Sequence, residues 1–218
     1  MTKTLHRVAV IGGGTMGAGI AEVAASAGHS VLLYDISAEA ITRAIEGIRQ
    51  RLDVRVGRGK ISAEQASELL ARIAPATELN QLADAQLVIE AASERLEIKK
   101  ALFSQLAEIC LPSTLLTSNT SSISITAIAA GVKHPERVAG LHFFNPAPVM
   151  KLVEVVSGLA TSTEVVEQLC QCVTAWGKQP VRCRSTPGFI VNRVARPYYA
   201  EAWRALEEQV ASAEVIDA

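Results

Sequence analysis

Short apolar runs alternate along the chain with longer segments in which apolar residues recur three and four positions apart. The short runs predict strands, at Arg7–Gly12, Ser30–Asp35, Gln86–Ala91, Thr114–Ser118, Arg137–His142, Val153–Val156 and Pro180–Cys183. The longer segments predict helices, at Met16–Ala27, Ala38–Val56, Ala63–Ile73, Arg95–Cys110 and Thr163–Trp176. Because strands and helices alternate, we predict an α/β fold with a doubly wound, mostly parallel sheet covered by helices.

Two predicted helices start with a residue pair that has the spacing of a capping box, in which each side chain bonds the other residue's backbone N–H. The pairs are Ser62 with Gln65 and Thr161 with Glu164. Both pairs support the helix starts given above.

The segment 37–74 departs from the alternation, because two predicted helices follow one strand before another strand can form. Its middle is basic, and the cations are Arg49, Arg51, Arg55, Arg58 and Lys60. Asp53 is the acid that opposes them. Two interpretations stay open: a solvated helical hairpin that turns at Gly57 and Gly59, or a phosphate-facing rim for an anionic substrate.

The clearest domain boundary lies near 185–188, where Ser-Thr-Pro-Gly ends the last strand signal and a helical pattern begins. We expect residues 1–186 to form one domain and residues 187–218 to begin a second, helical domain. The second segment has about 30 residues, which is too short to bury a core of its own. We therefore expect that domain to be incomplete.

Composition excludes several classes of protein. The chain has 218 residues, 49% of them hydrophobic and 20% charged, and a formal net charge of −1. It is therefore neither a disordered tail nor drawn electrostatically to nucleic acid or an anionic membrane. No window reaches the roughly 18 apolar residues of a membrane span, and the start has no signal-peptide core. We expect a cytoplasmic protein with no nucleic-acid or membrane partner.

The four cysteines, Cys110, Cys170, Cys172 and Cys183, are too scattered for a disulfide framework in a chain of this length. Cys170 and Cys172 are two positions apart, which is not zinc-ligand spacing. We expect buried or half-buried thiols and no metal site.

Gly12, Gly14 and Gly17 form a G-x-G-x-x-G pattern between an apolar run and a predicted helix. Glycines there allow a tight turn and a close approach of the backbone to a pyrophosphate, which the N-terminus of the following helix stabilises. The pattern alone is weak, but its strand–turn–helix context indicates a Rossmann-type dinucleotide site. We expect these glycines, together with Thr15 and Met16, to bind the cofactor.

Asp35 ends the second predicted strand. A carboxylate at this point accepts hydrogen bonds from the adenosine ribose hydroxyls. It also repels a ribose 2′-phosphate, and Ile36 and Ser37 supply no arginine to hold one. The expected cofactor is therefore NAD rather than NADP. The alternative is a glycine-rich turn with an N-capping aspartate and no ligand.

Polar residues cluster after two predicted strands, in the segments 118–122 and 141–146. Residues just beyond the carboxyl ends of strands in an open α/β sheet face the cofactor crevice. We therefore expect Asn119 and Ser121 to contact the cofactor, and we consider His142 as a catalytic candidate. A single histidine beside an apolar run is by itself more often structural.

Glu154 favours the catalytic interpretation of His142. It is the one carboxylate of the predicted strand segment KLVEVV, and a half-buried acid needs a partner. A histidine oriented by a carboxylate is a usual general base for removing an alcohol proton while hydride leaves the same carbon.

Four segments of the chain resemble the NAD-dependent L-3-hydroxyacyl-CoA dehydrogenases, including the 3-hydroxybutyryl-CoA and phenylacetate-pathway members. They are IGGGTMGAGIA, SNTSSISIT, GLHFFNPAPVMKLVEVV and TPGFIVNRV. The similarity covers essentially the whole chain in order. It implies hydride transfer between C3 of an acyl-CoA and NAD, which interconverts a (3S)-3-hydroxyacyl-CoA and a 3-oxoacyl-CoA.

The resemblance also implies roles for individual residues. His142 would be the general base in oxidation and the acid in reduction, with Glu154 as its orienting partner. Ser121 would hydrogen-bond the substrate oxygen, and Asn192 would help to position the substrate. The residues implied to contact the cofactor are Asp35, Glu94, Lys99 and Asn145. The basic segment lies where the family places helices that meet coenzyme A.

Family members continue into an all-helical C-terminal domain that closes over the acyl-CoA and supplies the dimer contact, whereas this chain stops soon after entering it. The resemblance therefore implies a fragment of a homodimeric parent, in which cofactor binding survives while full turnover and dimerisation are not assured. Two rival functions stay open. One is a non-catalytic, crystallin-like NAD-binding or structural relative, and the other is a dehydrogenase of free hydroxy acids or sugar acids.

Overall fold

Eight strands form one sheet in the computed structural model, which describes residues 6–218. The strands are β1 (Arg7–Ile11), β2 (Ser30–Tyr34), β3 (Ile73–Ala76), β4 (Leu87–Glu90), β5 (Leu115–Ser118), β6 (Val138–Phe143), β7 (Leu152–Ser157) and β8 (Gln179–Arg184). The helices are α1 (Thr15–Ser26), α2 (Ala38–Gly57), α3 (Ala63–Ala71), α4 (Leu96–Ile109), α5 (Ile125–Ala129), α6 (Thr163–Ala175), α7 (Val191–Glu207) and α8 (Ala213–Ile216). The predicted α/β class is confirmed.

The strand order of the sheet is β3-β2-β1-β4-β5-β6-β7-β8. Strands β1 to β6 are parallel to one another, β7 is antiparallel to β6, and β8 is parallel to β7. The first six strands therefore have the order of a Rossmann sheet, in which ligands bind beyond the carboxyl ends of the strands where the order reverses. That point lies between β1 and β4.

Helices cover both faces of the sheet. Along β1, Val8 and Val10 pack in one apolar cluster with α1, α2, α3 and α6, whereas Ala9 and Ile11 pack in a second cluster with α4 and α5. Successive residues of a strand face opposite sides, and strands covered on both sides form nearly continuous apolar runs. Among residues 6–218 no helix is both long and apolar enough to cross a lipid bilayer.

The segment between β2 and β4 contains a strand that the apolar pattern did not predict. The expected helix Ala63–Ile73 ends at Ala71, and Ile73 begins β3. β3 pairs only with β2, at the edge of the sheet. Pro75 is tolerated there because an edge strand can spare the N–H that proline lacks.

Helices α2 and α3 form the predicted hairpin. α2 ends at Gly57, and Gly59 in the turn has a φ of +66°, a conformation that favours glycine. The capping box at the start of α3 is confirmed, because Ser62 Oγ accepts from the Gln65 amide at 3.1 Å and Gln65 Oε1 accepts from the Ser62 amide at 2.8 Å.

The second predicted capping box, Thr161 with Glu164, is wrong. The N-cap of α6 is Ser162, whose Oγ accepts from the Val165 amide at 3.3 Å. Thr161 instead donates its hydroxyl to the Val138 carbonyl at 2.6 Å. A tertiary contact to β6 therefore shifts the cap by one residue.

The cysteine side chains are free thiols, as expected: Cys110, Cys170 and Cys172 are buried and Cys183 is half-buried. Burial raises the pKa of the Cys172 thiol to about 12. Within residues 6–218 no group of three or more histidine, cysteine or acidic side chains is placed to hold a metal ion.

Candidate active site

The glycine loop joins β1 to α1 with backbone packed too closely for side chains. A Cβ on Gly12 would lie 2.5 Å from the Ala91 carbonyl oxygen, and one on Gly17 would lie 1.8 Å from the Gly12 carbonyl oxygen. Gly12 also has a φ of +111°. At Gly14 the space is open, since no atom lies within 4 Å of where a Cβ would be. The loop is thus tight where it meets the sheet and open where a ligand would approach.

Asp35 fixes this loop from the end of β2. Its Oδ2 accepts from the Gly13 amide at 2.6 Å, and its Oδ1 accepts from the Ser37 amide at 2.9 Å. The N-terminus of α1, at Gly14, has no side-chain cap, so its first amides are free to bind an anion. A pyrophosphate at the open glycine and a ribose beside the carboxylate fit these residues, which favours NAD.

A cleft of about 430 Å³ lies beyond the carboxyl ends of β4, β5 and β6. It brings together eight of the residues singled out from the sequence: Met16, Glu94, Lys99, Asn119, Ser121, His142, Asn145 and Asn192. Gly12, Gly14, Thr15, Gly17 and Asp35 are not in its lining. The first four belong to the glycine loop and the start of α1, and Asp35 follows β2 and contacts that loop. Glu154 also lies outside the lining, behind the histidine ring.

His142 and Glu154 form a buried pair. They face each other directly across the antiparallel strands β6 and β7, and His142 Nδ1 lies 2.7 Å from Glu154 Oε2. His142 is 6% exposed and Glu154 is fully buried. With Nδ1 engaged by the carboxylate, Nε2 is left to exchange a proton with a ligand in the cleft.

Glu154 is held on its other side by backbone. Its Oε1 accepts from the amides of Ile190 and Val191, both at 2.9 Å, at the start of α7. Burial alone would raise the pKa of Glu154, but the hydrogen bonds from His142 and these two amides outweigh it and lower the pKa below its ordinary value. The carboxylate therefore stays ionised and orients the imidazole while anchoring α7.

Lys99 lies at the floor of the cleft and is neutralised there. Its Nζ donates to both carboxylate oxygens of Glu90 at 2.7 Å and lies 3.4 Å from Glu94 Oε2. Glu90 is fully buried and also accepts from the Ser118 hydroxyl at 2.6 Å. The lysine charge is thus matched by the buried Glu90 and by Glu94 at the surface of the cleft.

Glu94 connects this pair to the residues after β5. Its Oε1 accepts from the Thr120 hydroxyl at 2.6 Å and from the Ser121 amide at 3.0 Å. Burial would raise the pKa of Glu94, and the Thr120 hydrogen bond, the Lys99 charge and the Ser121 amide together lower it. Glu94 therefore fixes the loop that presents Ser121 to the cleft.

Two asparagines fix the segments around the histidine. Asn119 Oδ1 accepts from the Phe143 amide at 2.8 Å, and Asn192 Nδ2 donates to the Ser121 carbonyl at 3.2 Å. The second bond ties α7 to the loop after β5. Asn145 lies further along, in the loop between β6 and β7.

Sequence reasoning missed two residues that line this cleft, Phe144 and Arg196, and a third, Lys178, that lies outside the lining and supports it. Phe144 lines the cleft, and its ring centroid lies 4.5 Å from that of His142; its place directly after the His-Phe pair was a usable signal. Arg196 lines the cleft from α7. Lys178 Nζ donates to the carbonyls of Ala147, Pro148 and Met150 at 2.6, 3.2 and 2.7 Å. It holds the β6–β7 loop from a position that no local pattern reveals.

Comparison with known proteins gives two matches along the chain. Residues 7–186 match the family model described as 3-hydroxyacyl-CoA dehydrogenase, NAD binding domain. Residues 188–218 match 3-hydroxyacyl-CoA dehydrogenase, C-terminal domain. The cofactor of the matched N-terminal domain is NAD.

Individual relatives agree with these matches. The chain is 76% identical over 218 residues to a 3-hydroxyadipyl-CoA dehydrogenase of Escherichia coli K12, covering all of this chain and 46% of that protein. It is 42% identical to a 3-hydroxybutyryl-CoA dehydrogenase of Bradyrhizobium diazoefficiens, covering all of this chain and 74% of that protein. A crystal structure of 3-hydroxybutyryl-CoA dehydrogenase from Escherichia coli K12 superposes with a TM-score of 0.96 at 76% identity, covering 98% of this chain and 45% of that one.

The chain thus spans about half the length of one of these relatives and three quarters of another. The glycine loop, the eight-stranded sheet and both family matches agree with one another. The chain belongs to the 3-hydroxyacyl-CoA dehydrogenase family.

Proposed function

We propose that this chain interconverts a (3S)-3-hydroxyacyl-CoA and a 3-oxoacyl-CoA with NAD. The observation that carries the proposal is the buried His142–Glu154 pair, whose nitrogen and oxygen lie 2.7 Å apart at the edge of a cleft next to the dinucleotide loop. A general base next to a hydride acceptor is what oxidation of a secondary alcohol requires.

NAD, when bound, supplies hydride acceptance or donation at C3 of the substrate. In the oxidation, His142 takes the hydroxyl proton at Nε2 as the C3–H bond breaks and the C3–O bond becomes a carbonyl. Glu154 keeps the Nδ1 proton in place and stabilises the imidazolium that forms. In the reduction, the same imidazolium returns the proton to the oxygen.

The remaining site residues take supporting roles in this proposal. Ser121 hydrogen-bonds the substrate oxygen, and Asn192 helps to position the substrate; its bond to the Ser121 carbonyl supports both roles. Cofactor contacts are proposed for two groups of residues. The loop group is Gly12, Gly14, Thr15, Met16, Gly17 and Asp35, and the cleft group is Glu94, Lys99, Asn119, Ser121 and Asn145.

A second cleft, of about 860 Å³, supports an acyl-CoA substrate. It lies along α2 and collects most of the basic side chains of the hairpin. Glu22 at its floor is 1% exposed and pairs with Arg51 at 2.8 Å and with Arg55 at 3.6 Å. Arg58 and Lys60 also line the cleft and have no acidic partner within residues 6–218. We propose that these two cations face the phosphates of coenzyme A.

We also propose residues 1–186 as the NAD-binding domain and residues 187–218 as the beginning of a helical domain. The first family match ends at residue 186 and the second begins at residue 188, and both support this division.

A homodimer through the helical domain is proposed as well. The exposed apolar side chains of α7, such as Tyr198 and Trp203, support it. The cytoplasmic location stays a prediction.

NADH oxidation in the presence of acetoacetyl-CoA tests the proposed function. We expect the wild-type chain to oxidise NADH and His142→Gln to lose about 10²–10⁴-fold of that rate, with NADH binding nearly intact. His134→Gln is the matched control, because His134 is an exposed histidine that pairs with Glu136 at 3.3 Å, away from the cleft. NADH binding without oxidation in the wild type would contradict the proposal that this chain by itself catalyses the reaction. Equal rates with free acetoacetate would favour a dehydrogenase of free acids.

A further inference from the structure

Two long cationic side chains line the 430 Å³ cleft, Lys99 and Arg196. Lys99 is 1% exposed and its charge is matched by Glu90 and Glu94. Arg196 is exposed, and within residues 6–218 no acidic side chain pairs with it. The cleft therefore has one positive group that is available to an anionic ligand.

The position of Arg196 relative to the reacting end of the cleft follows from helix geometry. Asn192 and Arg196 are four residues apart on α7, so they lie on the same face of the helix about 6 Å apart along its axis. Asn192 is tied to the Ser121 carbonyl at 3.2 Å. Helical side chains lean toward the N-terminus of their helix, so the Arg196 guanidinium points back toward Asn192 and the cleft.

We propose that Arg196 determines acyl-chain specificity by binding a carboxylate at the far end of the acyl chain, an inference that rests on the proposed function. With C3 of the substrate beside His142, the rest of the chain extends from the reacting carbon toward the open mouth of the cleft. A short chain that ends in a carboxylate brings that group about one helical turn from the reacting end, where Arg196 lies.

The charge of Arg196 discriminates in two ways. A guanidinium and a carboxylate form charge-assisted, bidentate hydrogen bonds that a methyl group cannot make. A chain that ends in a methyl group would also lie against an unpaired cation, and contact of that kind costs binding free energy. The favoured substrates are therefore dicarboxylic acyl-CoA thioesters rather than the simple fatty acyl-CoA of equal length.

Adipyl-CoA and hexanoyl-CoA form a matched pair of probes, because they have the same number of carbons and differ in the terminal carboxylate. Neither has a 3-oxo group, so their binding is measured without turnover. Calorimetric titration of the chain saturated with NADH is expected to show that adipyl-CoA binds about tenfold more tightly than hexanoyl-CoA. This ratio is what one charge-assisted interaction at a partly exposed site contributes.

Substitutions test whether the tighter binding of adipyl-CoA depends on the Arg196 side chain. Arg196→Met is expected to make the two dissociation constants equal, mainly by weakening adipyl-CoA binding, while hexanoyl-CoA binding tightens by no more than about twofold because Arg196 is exposed. Arg196→Lys is expected to keep part of the preference. Arg193→Met is the control, since Arg193 is exposed on the same helix outside the cleft lining. It should keep the full tenfold ratio.

Three results would overturn the inference. Equal binding of both probes by the wild type would remove it and leave the proposed function standing. An equal loss for both probes in Arg196→Met would mean that Arg196 contacts coenzyme A or the cofactor. Binding of NADH with no binding of either thioester would contradict the proposed function itself, and the inference with it.

Discussion

Replacing Glu154 by glutamine tests how this site orients its base. Glu154 Oε2 contacts His142 Nδ1 at 2.7 Å, and Oε1 accepts from the amides of Ile190 and Val191 at 2.9 Å. Glutamine has one acceptor and one donor at these positions. Because two backbone N–H groups need the acceptor, the glutamine NH₂ must face His142. Nδ1 then becomes the acceptor and the ring proton moves to Nε2, where it blocks proton abstraction.

The expected cost follows from the loss of the base. General acid–base catalysis contributes about 10²–10⁴-fold to a rate, which corresponds to roughly 3–5 kcal/mol of barrier. Glu154→Gln is therefore expected to lower the rate of NADH oxidation with acetoacetyl-CoA by that factor. The dissociation constant of NADH should change by less than about twofold, because Glu154 lies outside the cleft lining.

Measurements of protein stability distinguish the two roles of Glu154, which are to orient the His142 ring and to anchor the start of α7. Glutamine keeps the two backbone hydrogen bonds, whereas Glu154→Ala leaves both amides without an acceptor, at about 1–3 kcal/mol each. The pKa of Glu154 is lowered in the fold, so its stabilising effect is fully present above the unfolded pKa of about 4.3 and is lost as pH falls through the lower folded pKa. Urea unfolding at several pH values should show a weaker dependence in Glu154→Gln than in the wild type, and the part that remains comes from other acids with lowered pKa values, such as Glu94.

Two results would contradict this role of Glu154. One is a Glu154→Gln variant that keeps more than about a tenth of the wild-type rate, since a general base contributes at least 10²-fold. The other is a loss of NADH affinity by the same factor as the rate, which would mean that the substitution disrupts the cofactor site rather than the base.

Three further predictions concern the loop, the buried ion pair and the thiols. Gly17→Ala should abolish NADH binding in a fluorescence titration, because its Cβ would lie 1.8 Å from the Gly12 carbonyl oxygen; binding of normal strength would contradict the described loop. Lys99→Met should lower the free energy of unfolding by about 3–5 kcal/mol in urea, because it leaves the fully buried Glu90 without its cation. Cys172, with a pKa raised to about 12 by burial, should resist iodoacetamide in the native protein at neutral pH, and rapid labelling would show that the thiol is accessible.

The fold could be predicted from sequence wherever local pattern and tertiary packing agree. β1 and β4 are covered on both faces, so their apolar runs were visible without a partner. β3 was not visible, because it is short, contains Pro75 and has β2 as its one strand partner among the described residues. The N-cap of α6 was misplaced because threonine and serine are both favoured N-cap residues, and Thr161 and Ser162 are adjacent. The contact of Thr161 with the Val138 carbonyl selects Ser162 as the N-cap.

Some contacts of the candidate active site could also be predicted from the sequence, and others could not. The pairing of His142 with Glu154 was predictable, because a half-buried acid on a neighbouring strand needs a partner. Glu154 also holds the start of α7. This second role depends on contacts with Ile190 and Val191, which are separated from Glu154 by 36 and 37 positions in the sequence. No local pattern encodes such a contact. The same holds for Arg196, which reaches the cleft only because α7 returns to the loop after β5.

The most direct test of hydride transfer by this chain follows the hydride itself. NADH that carries deuterium at the transferred position of C4 is incubated with the chain and acetoacetyl-CoA, and the product is analysed by mass spectrometry. We predict 3-hydroxybutyryl-CoA with the deuterium at C3, formed by the wild type and by His134→Gln, and lost or strongly reduced in His142→Gln. Product without deuterium, or deuterated product formed equally well by His142→Gln, would contradict this prediction.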